Sequence, residues 1–403
     1  MAEAVGAQAN PWSEPALGHW SSVFEAFVRR QPPIVLTSAG VLLVVALGVF
    51  DYLTGPDLSF LIFYIGPVLL LVWYVGRTQA LFATVLSAAC WTFEDVLSEH
   101  AYKSLGIGIW NVAVRLGFFV LFVQVVYRLK AALEEERAAE QRRLEQEIDI
   151  ARAVQMRLLP RSDPGVPGLD CHAVCRPARG VSGDYYDYLG LGEEKLGIAV
   201  GDVVGKGISA ALLMASLQAS FRSFASVGVV DMDMAAITSV VNRQMYLLTE
   251  PNRFATLFWA IYDERRASFV YVNAGHCPAF VLRSVFGESP PSGRPPSVVE
   301  RLPTTGLPLG ALENSKFRSG VVSLRPGDLI AIFTDGVTEA FDAAGSEFGE
   351  ARLENILRHN AHLGAAALCR VVLEAVDRFR GDTLQQDDAT LLIARVLPHP
   401  AGL

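Results

Sequence analysis

The 403-residue chain is short of charge, and the shortage is confined to its first part. Lys, Arg, Asp and Glu make up 19% of the residues, 51% are hydrophobic, and the mean hydropathy is +0.32. Residues 1–127 carry only 5 Lys or Arg and 8 Asp or Glu. Since an ordinary soluble protein has roughly a quarter of its residues charged, we predict that the first part lies in a membrane and the rest in water.

Cysteine and basic residues are also scarce, and each shortage excludes a class of protein. The five cysteines are an odd number without CxxC spacing, which argues against both a zinc site and a disulfide framework and fits a reducing compartment. The net charge of -8 and the pI near 5.5 argue against a protein that binds nucleic acid, because neutralising phosphates requires concentrated basic residues. No nucleic-acid partner is therefore expected.

Four apolar stretches follow one another in the first part, and about 20 helical residues suffice to cross a bilayer. The stretches cover residues 31–50, 58–76, 78–93 and 104–127. We predict a four-span α-helical membrane bundle over 31–127, acting as sensor or anchor, after a cytoplasmic tail at 1–30. A cleaved signal peptide is not expected, because the first apolar stretch begins some 30 residues into the chain.

The basic residues beside these stretches predict the orientation. Arg and Lys are enriched in loops that face the cytoplasm. Here they flank one end of the predicted spans, as Arg29, Arg30, Arg77, Arg128 and Lys130. The loops at the other end contain only Lys103. We therefore expect a multi-pass protein of the cell inner (cytoplasmic) membrane with both termini in the cytoplasm.

Arg115 lies near the middle of the fourth predicted span. A charged side chain there is costly unless it pairs or lines a polar cavity, which makes Arg115 a functional candidate. Asp51, Glu94 and Asp95 are candidate partners. The alternative is that Arg115 reaches the interface or makes one structural ion pair.

A helical linker is predicted over residues 128–160, because Glu, Arg, Ala, Gln and Leu dominate and Gly and Pro are absent before Pro160. Leu144, Ile148, Ala151 and Leu158 fall at the a/d spacing of a coiled coil, so 144–158 is predicted to form a homodimer seam. A single solvated helix is the alternative.

The soluble part, 161–397 before a short tail at 398–403, alternates short β-like runs with Gly-containing turns and two pairs of helical stretches. Strands are expected at 184–191, 195–202, 254–263, 267–273, 278–282, 328–334 and 389–396. Helices are expected at 208–225, 232–248, 350–360 and 365–379, and a loop at 284–300. Many strands with paired helices predict an α+β fold with a β-sandwich.

Aspartates occur where apolar strands begin or end. They are Asp184, Asp202, Asp335, Asp387 and Asp388. Taken singly, each could cap a turn. Buried carboxylates repel one another, however, so a cluster is best tolerated when cations neutralise it. Oxygen ligands suit Mg²⁺ or Mn²⁺ rather than zinc.

The run Gly201–Gly207 superficially resembles a phosphate-binding loop, GxxxxGK followed by Ser or Thr. Here three residues rather than four separate Gly201 from Gly205, and Gly207 stands after Lys206 where the motif requires Ser or Thr. A nucleotide-binding loop is therefore rejected. The glycines are expected instead to allow a tight turn that starts the helix at Ile208.

Eight segments in order resemble the SpoIIE/RsbU-type branch of the metal-dependent protein phosphatase (PPM, protein phosphatase 2C) superfamily. They are IDIAR through LLP (148–160), GDYYD (183–187), GDVVGKGISAALLMA (201–215), FATLFWA (254–260), NAGH (273–276), TGLPLG (305–310), TDGVTEA (334–340) and DDATLL (387–392). The resemblance implies a β-sandwich flanked by helix pairs in α-β-β-α layers. It also implies two Mn²⁺ or Mg²⁺ ions, with Asp202 bridging them, the Val203 carbonyl binding one, Asp335 and Asp387 completing one coordination shell, and Asp184 serving the other.

Four further residues are candidates for supporting roles. Asp388 is expected to support the ligands or cap a strand, and Asn273 and His276 match a family motif that fits either fold support or catalysis. Arg179 is a candidate phosphate contact, with an exposed loop arginine as the alternative. The chain departs from the commonest family wording at Ser182, Val204 and Cys277, none of which is a proposed ligand.

Three functions are compatible with these residues. The first is a membrane-anchored serine/threonine protein phosphatase of bacterial signalling, whose family substrate is a phosphoserine on a STAS-domain antagonist of an anti-sigma factor. The second is a membrane receptor with a catalytically silent, partner-binding domain. The third is a metal-dependent hydrolase of small phosphorylated molecules. The complete acidic set favours the first.

Overall fold

The structure is a computed structural model that describes residues 25–54, 61–97, 105–192, 194–226, 233–250, 253–283 and 298–398. The predicted tails at 1–30 and 398–403 and the loop at 284–300 lie mostly outside these residues. The chain divides into two compact units, Met1–Arg142 and Arg143–Leu403.

All the regular structure described in the first unit is helical. Its helices are α1 (Pro33–Thr54), a 3-10 turn (Leu61–Tyr64), α2 (Ile65–Tyr74), α3 (Arg77–Leu97) and α4 (Leu105–Gln155). Each predicted span therefore coincides with a helix. Two stretches, Pro33–Thr54 and Gly106–Gln155, are long and apolar enough to cross a membrane by length and composition, and Ile62–Tyr74 is a shorter apolar helix. A bundle of four spans remains a prediction.

Large apolar side chains point outward from these helices. Ile34, Leu42 and Leu53 on α1 are 75%, 68% and 72% exposed. A helix on the surface of a soluble protein turns its apolar stripe inward, so this outward display fits a hydrocarbon environment. The inner contacts form one small cluster around Val44 and Leu71.

Arg115 contacts an aromatic ring. Its guanidinium lies 5.0 Å from the centroid of the Trp91 ring, and the indole Nε1 of Trp91 donates a 2.9 Å hydrogen bond to Oδ2 of the buried Asp51. Asp51 was one of the expected partners. The side chains of the other two, Glu94 and Asp95, lie outside the described residues. Trp91 thus connects the cation to the carboxylate.

The second unit contains two five-stranded antiparallel sheets. Sheet A has the order β1-β10-β9-β6-β7, and sheet B has the order β2-β3-β4-β5-β8. The strands are β1 (Leu169–Arg176), β2 (Asp184–Gly190), β3 (Lys195–Val203), β4 (Ala255–Asp263), β5 (Ser268–Ala274), β6 (Ala279–Leu282), β7 (Val299–Leu302), β8 (Gly320–Ser323), β9 (Leu329–Phe333) and β10 (Ala389–Val396).

Helices cover the outer face of each sheet. They are α5 (Ile208–Ser226), α6 (Met234–Leu248), the short α7 (Asp335–Thr338), α8 (Gly349–His359) and α9 (Ala365–Arg380). One apolar cluster fills the space between the sheets, a second joins sheet B to α5 and α6, and a third joins sheet A to α8 and α9. The α-β-β-α layers implied by the resemblance are confirmed.

Side-chain alternation explains this layering. Ile330 and Ile332 of β9 point into the core between the sheets, whereas Leu329, Ala331 and Phe333 pack under the helices. A strand covered on both faces needs apolar residues at every position, because successive side chains point to opposite faces.

The predicted elements are present, and three strands were missed. All seven predicted strands and four predicted helices occur within two residues of their expected ends. The missed strands β1, β7 and β8 all lie at sheet edges. Edge strands are covered on fewer sides, and β7 (VERL) and β8 (GVVS) are also only four residues long, so their patterns are weak.

The linker helix ends earlier than predicted. Helix α4 stops at Gln155, and the chain turns through residues 156–158 before Pro160. If the helix continued through Pro160, the proline ring would clash with the carbonyl of residue 156. Leu158 is therefore outside the helix that was to carry the seam. Leu144 is 54% exposed, and Ile148 packs against Gly180 of the same unit. Dimerisation through 144–158 remains a prediction.

Candidate active site

Two of the predicted ligands face each other on neighbouring strands. Asp184 begins β2 and lies directly opposite Asp202, near the end of the antiparallel strand β3. Asp184 is only 1% exposed. Residues paired across such strands have Cβ atoms about 5 Å apart, so the strand register alone brings these carboxylates together.

Two threonines connect Asp184 to the other sheet. Its Oδ2 accepts hydrogen bonds from Oγ1 of Thr334, at 2.8 Å, and from Oγ1 of Thr390, at 2.6 Å. Thr334 directly follows β9, and Thr390 lies in β10, so both come from the sheet A side. The two threonines also bond to each other, since the Thr390 amide donates to Thr334 Oγ1 at 2.9 Å. The site therefore lies where the two sheets meet.

The other two predicted ligands come from the sheet A side. Asp335 begins α7 directly after Thr334, and Asp387 precedes β10. Gly336 allows the start of α7 to lie close to Asp388, because a Cβ at position 336 would collide with the Asp388 carbonyl. The Asp387 Oδ2 lies 2.9 Å from the Nζ of Lys206, which belongs to the turn before α5.

Burial and mutual repulsion raise the pKa values of the acidic cluster. The pKa of Asp202 is raised to about 7 by burial, then by Asp335, Asp387 and Asp388. The pKa of Asp184 is raised well above its ordinary value by burial and by Asp202. Burial and Asp387 raise the pKa of Asp335. The cluster therefore favours protons or other cations.

The turn between β3 and α5 has the geometry expected of its glycines. Gly205 and Gly207 have φ angles of +113° and +78°, which residues with a Cβ rarely adopt. They reverse the chain after Val203 and start α5 at Ile208. Lys206, between them, is thereby directed at Asp387.

Asp388 binds backbone amides. Its Oδ1 accepts from the Ala178 amide and its Oδ2 from the Gly183 amide, both at 2.7 Å. It thus holds the loop between β1 and β2, which leads into Asp184. This arrangement fits the expected supporting role and leaves the ligand role to its neighbour Asp387.

Gln155, at the end of α4, binds the same loop, and sequence analysis missed it. The Gln155 Nε2 donates to the Ser182 carbonyl at 2.6 Å, and the Ser182 amide donates to Gln155 Oε1 at 2.9 Å. The Ser182 Oγ in turn accepts from the Asp184 amide at 3.0 Å. The signal was present, because Gln155 lies within the first family segment, between Arg152 and Leu158.

His276 and Asn273 support the strands behind the site. The His276 amide donates to Oδ1 of Asn273 at 2.8 Å, and its Nδ1 lies 2.8 Å from the Thr256 Oγ1. Thr256 is paired with Asp202 across β3 and β4. Burial lowers the pKa of His276 to about 4, so the imidazole is neutral at physiological pH.

The donor set fits hard divalent cations. It consists of carboxylates that raise one another's pKa values, and a divalent cation relieves this repulsion. Among the described residues, no three His, Cys, Asp or Glu side chains converge tightly enough to enclose an ion by themselves. The sharing of one ion by Asp202, Asp335 and Asp387 therefore remains a prediction. Arg179, the candidate phosphate contact, is exposed in the loop held by Asp388.

Known proteins match this part of the chain. Residues 192–397 match the family Stage II sporulation protein E (SpoIIE). Protein IcfG of Synechocystis sp. is 29% identical over 295 residues, which span 67% of this chain and 44% of IcfG. Phosphoserine phosphatase RsbU of Bacillus subtilis is 27% identical over 277 residues, which span 69% of this chain and 78% of RsbU.

A solved structure agrees with the fold. The SiaA-PP2C domain of Pseudomonas aeruginosa superposes with a TM-score of 0.54 at 22% identity, covering 64% of this chain and 99% of that domain. The phosphatase enzyme class predicted from the motifs agrees with the name of RsbU. The chain therefore belongs to the SpoIIE family, in the SpoIIE/RsbU branch of the metal-dependent protein phosphatase superfamily.

Proposed function

We propose that the chain is a membrane-anchored, metal-dependent serine/threonine protein phosphatase of bacterial signalling. The observation that carries the proposal is the pairing of Asp184 with Asp202 at the junction of the two sheets, close enough to Asp335 and Asp387 that their charges raise the pKa of Asp202. Such a cluster destabilises the fold when no counterion is bound, which favours a functional role over a structural one.

Each residue has a defined role in this proposal. Asp202 and the Val203 carbonyl, with Asp184 on one side and Asp335 and Asp387 on the other, would hold two Mn²⁺ or Mg²⁺ ions. When bound, the ions supply an activated water and neutralise phosphoryl charge during in-line displacement. Thr334 and Thr390 fix one carboxylate oxygen of Asp184, and Lys206 orients Asp387. No side-chain nucleophile is required.

The substrate class follows from the relatives. RsbU and RsbP of Bacillus subtilis are both named phosphoserine phosphatases. We therefore propose a phosphoserine on a regulatory protein as the substrate, specifically on a STAS-domain antagonist of an anti-sigma factor. IcfG is matched over less than half of its length, so the activity and partners of the whole protein are part of this proposal.

The membrane half anchors and regulates the enzyme in this proposal. The helices in 31–127 would form four spans of the cell inner membrane, with both termini cytoplasmic and the phosphatase domain of 161–397 on the cytoplasmic side. The support is the outward apolar surface of α1 and the two stretches long enough to span. The linker at 128–160 would transmit a signal, as a homodimer through 144–158.

The deciding experiment is release of phosphate from a phosphoserine protein by the full chain in lipid, with and without Mn²⁺. Metal-dependent release that is lost in Asp202→Ala supports the proposal, and unchanged release in Asp202→Ala contradicts it. A partner that binds but stays phosphorylated would favour the silent receptor. Release from nucleotides but not from phosphoproteins would favour the small-molecule hydrolase.

Comparison with the fragment 148–403 tests the membrane half. A different rate for the fragment and the full chain in lipid would indicate regulation by residues 31–127. Equal rates would reduce that half to an anchor.

A further inference from the structure

A groove with basic walls leads away from Asp387 across the surface of the second unit. Its volume is about 870 Å³, and three segments line it: the loop after β1, the turn before α5, and the loop between α9 and β10. Each segment contributes one cation, namely Arg179, Lys206 and Arg380. Asp382 is the one acidic residue among the described residues of the lining. The lining residues alone are therefore net positive in a chain whose net charge is -8, with Lys206 paired to Asp387 and Arg380 to Asp377 just outside the lining.

The groove begins at the candidate active site. The Lys206 Nζ lies 2.9 Å from Asp387 Oδ2 and donates to the Gln386 carbonyl at 2.7 Å. The Gln385 side-chain amide donates to the carbonyls of Arg176 and Asp387, both at 2.8 Å. The loop that forms one wall is therefore tied to a predicted metal ligand.

The walls are held in place before any ligand binds. Asp388 fixes the Ala178 amide on one side. On the other side, the Arg380 guanidinium donates to Asp377 at 3.1 Å, and Arg176 also donates to Asp377, at 2.7 Å. Arg179 is exposed and makes no ion pair with any residue that the structure describes, so its charge is available to a ligand.

We propose that this groove binds acidic residues that flank the phosphoserine of the protein substrate. The inference rests on the proposed phosphatase function, and it adds a substrate preference to it. A phosphoserine placed at the metal ligands would leave its neighbouring residues beside Arg179 and Arg380. Guanidinium groups bind carboxylates through two parallel hydrogen bonds. Leu384, 86% exposed at the rim, offers an apolar contact beside them.

The test compares two phosphoserine peptides with the full chain in lipid and Mn²⁺. One peptide has Asp and Glu on both sides of the phosphoserine, and the other has Asn and Gln at the same positions. We expect kcat/KM to be about tenfold higher for the acidic peptide at low ionic strength, chiefly through KM, and the ratio to shrink as salt screens the groove.

Charge reversal identifies the groove as the source of the preference. Arg179→Glu removes a cation, and Leu384→Glu adds an anion at an almost fully exposed position that contributes little to folding. Both variants should lower the acidic-to-neutral ratio of kcat/KM toward one. Arg378→Glu is the matched control, because Arg378 is exposed on α9 and does not line the groove. Its ratio should equal that of the wild type. Partial misfolding would lower kcat/KM for both peptides by the same factor. It would therefore leave their ratio unchanged and could not be mistaken for the expected result.

Several outcomes would overturn the inference. Equal kcat/KM for both peptides in the wild type would do so, as would an unchanged ratio in both groove variants. A loss in Arg179→Glu that is equal for the two peptides, with Leu384→Glu behaving as wild type, would assign Arg179 to the phosphate alone. Equal competition against both peptides by a nucleotide, relieved in both groove variants, would assign the groove to small molecules. The phosphatase proposal has separate tests: it fails if neither peptide releases phosphate, or if release is unchanged in Asp202→Ala.

Discussion

Asp184 lies directly opposite Asp202 across β2 and β3, and the two threonines whose hydroxyls donate hydrogen bonds to Asp184, Thr334 and Thr390, come from the side of the other sheet. Like charges placed opposite each other on neighbouring strands destabilise a sheet. The fold brings these carboxylates together nonetheless, at the junction of the two sheets. Stability and activity should therefore respond in opposite directions to substitutions here.

Replacing Asp184 tests this opposition. Asp184→Asn keeps an oxygen for the Thr334 and Thr390 hydroxyls but removes the buried charge beside Asp202. We expect the free energy of unfolding of the metal-free protein to rise by on the order of 1 kcal/mol, while metal-dependent phosphate release is lost. Chemical denaturation and a phosphopeptide assay measure the two effects. A less stable variant would contradict the account of the cluster.

Asp187 is the matched control, three residues along the same strand. It is fully buried, but both its oxygens accept hydrogen bonds from Arg222, at 2.7 and 2.8 Å. Asp187→Asn removes the charge from a paired carboxylate and should lower the free energy of unfolding by about 1 to 3 kcal/mol. The loss is limited because Arg222 is half exposed and can regain water. Opposite signs for the two Asp→Asn variants are the expected result.

The metal-free protein should lose stability as pH rises. The pKa of Asp202 is raised from 3.8 to about 7, so between these values the folded state holds more protons than the unfolded chain. Stability then falls as pH increases through this window. We expect the thermal midpoint without metal to drop by several degrees between pH 5 and about pH 8. The drop should be smaller in Asp202→Asn, which isolates this group from other titrating residues.

Mn²⁺ should reverse this trend, because metal binding displaces protons from carboxylates. The rise in thermal midpoint on adding Mn²⁺ is expected to be larger at pH 8 than at about pH 5. An equal rise in thermal midpoint at both pH values would contradict this prediction, because it would show that Mn²⁺ binding does not displace protons from the cluster.

His276 should act as a positioning residue rather than an acid or base. Its pKa is lowered to about 4 by burial, and its Nδ1 lies 2.8 Å from Oγ1 of Thr256, which is paired with Asp202. His276→Asn is expected to lower kcat by about tenfold, by the same factor at every pH between about 6 and 8. A change in the shape of the pH profile would indicate direct proton transfer. His359→Asn, at an exposed histidine on α8, is the control.

Gln155 should couple the end of α4 to the metal ligands. Gln155→Ala breaks both hydrogen bonds to Ser182, whose hydroxyl orients the Asp184 amide. We expect a higher Mn²⁺ concentration at half-maximal activity, by about tenfold, and a normal kcat at saturating metal. Gln146→Ala removes the same side chain from an exposed part of the helix and should change neither value. Equal behaviour of the two variants would show that the contact is dispensable.

Trp91 should hold the polar cluster of the helical unit together. Trp91→Leu removes the donor to the buried Asp51 and the ring beneath Arg115. A buried carboxylate that loses a hydrogen bond costs about 1 to 3 kcal/mol, so the full chain in lipid should unfold at a lower temperature. Phe93→Leu, at a 68% exposed aromatic residue on the same helix, should leave the midpoint unchanged. If both variants unfold alike, the cluster does not stabilise the unit.

Much of the fold was predictable from local patterns. Central strands such as β9 are apolar at every position because helices cover one face and the other sheet covers the opposite face, and that pattern is visible in the sequence. The edge strands β1, β7 and β8 escaped prediction, because strands covered on fewer sides carry a weaker pattern. The order of the family motifs also predicted the SpoIIE family membership.

The sequence by itself determined the positions of three features: the aspartates at strand ends that are the predicted metal ligands, the glycines of the turn before α5, and the apolar stretches of the first unit. Only the tertiary structure decided how they are supported. Strand register places Asp184 against Asp202, and the junction of the two sheets brings in Thr334 and Thr390. Chain folding across more than 170 residues brings Lys206 to Asp387. Hydrogen bonds and charge pairs between distant segments leave no periodic signal in the sequence, so only the tertiary structure identifies these partners.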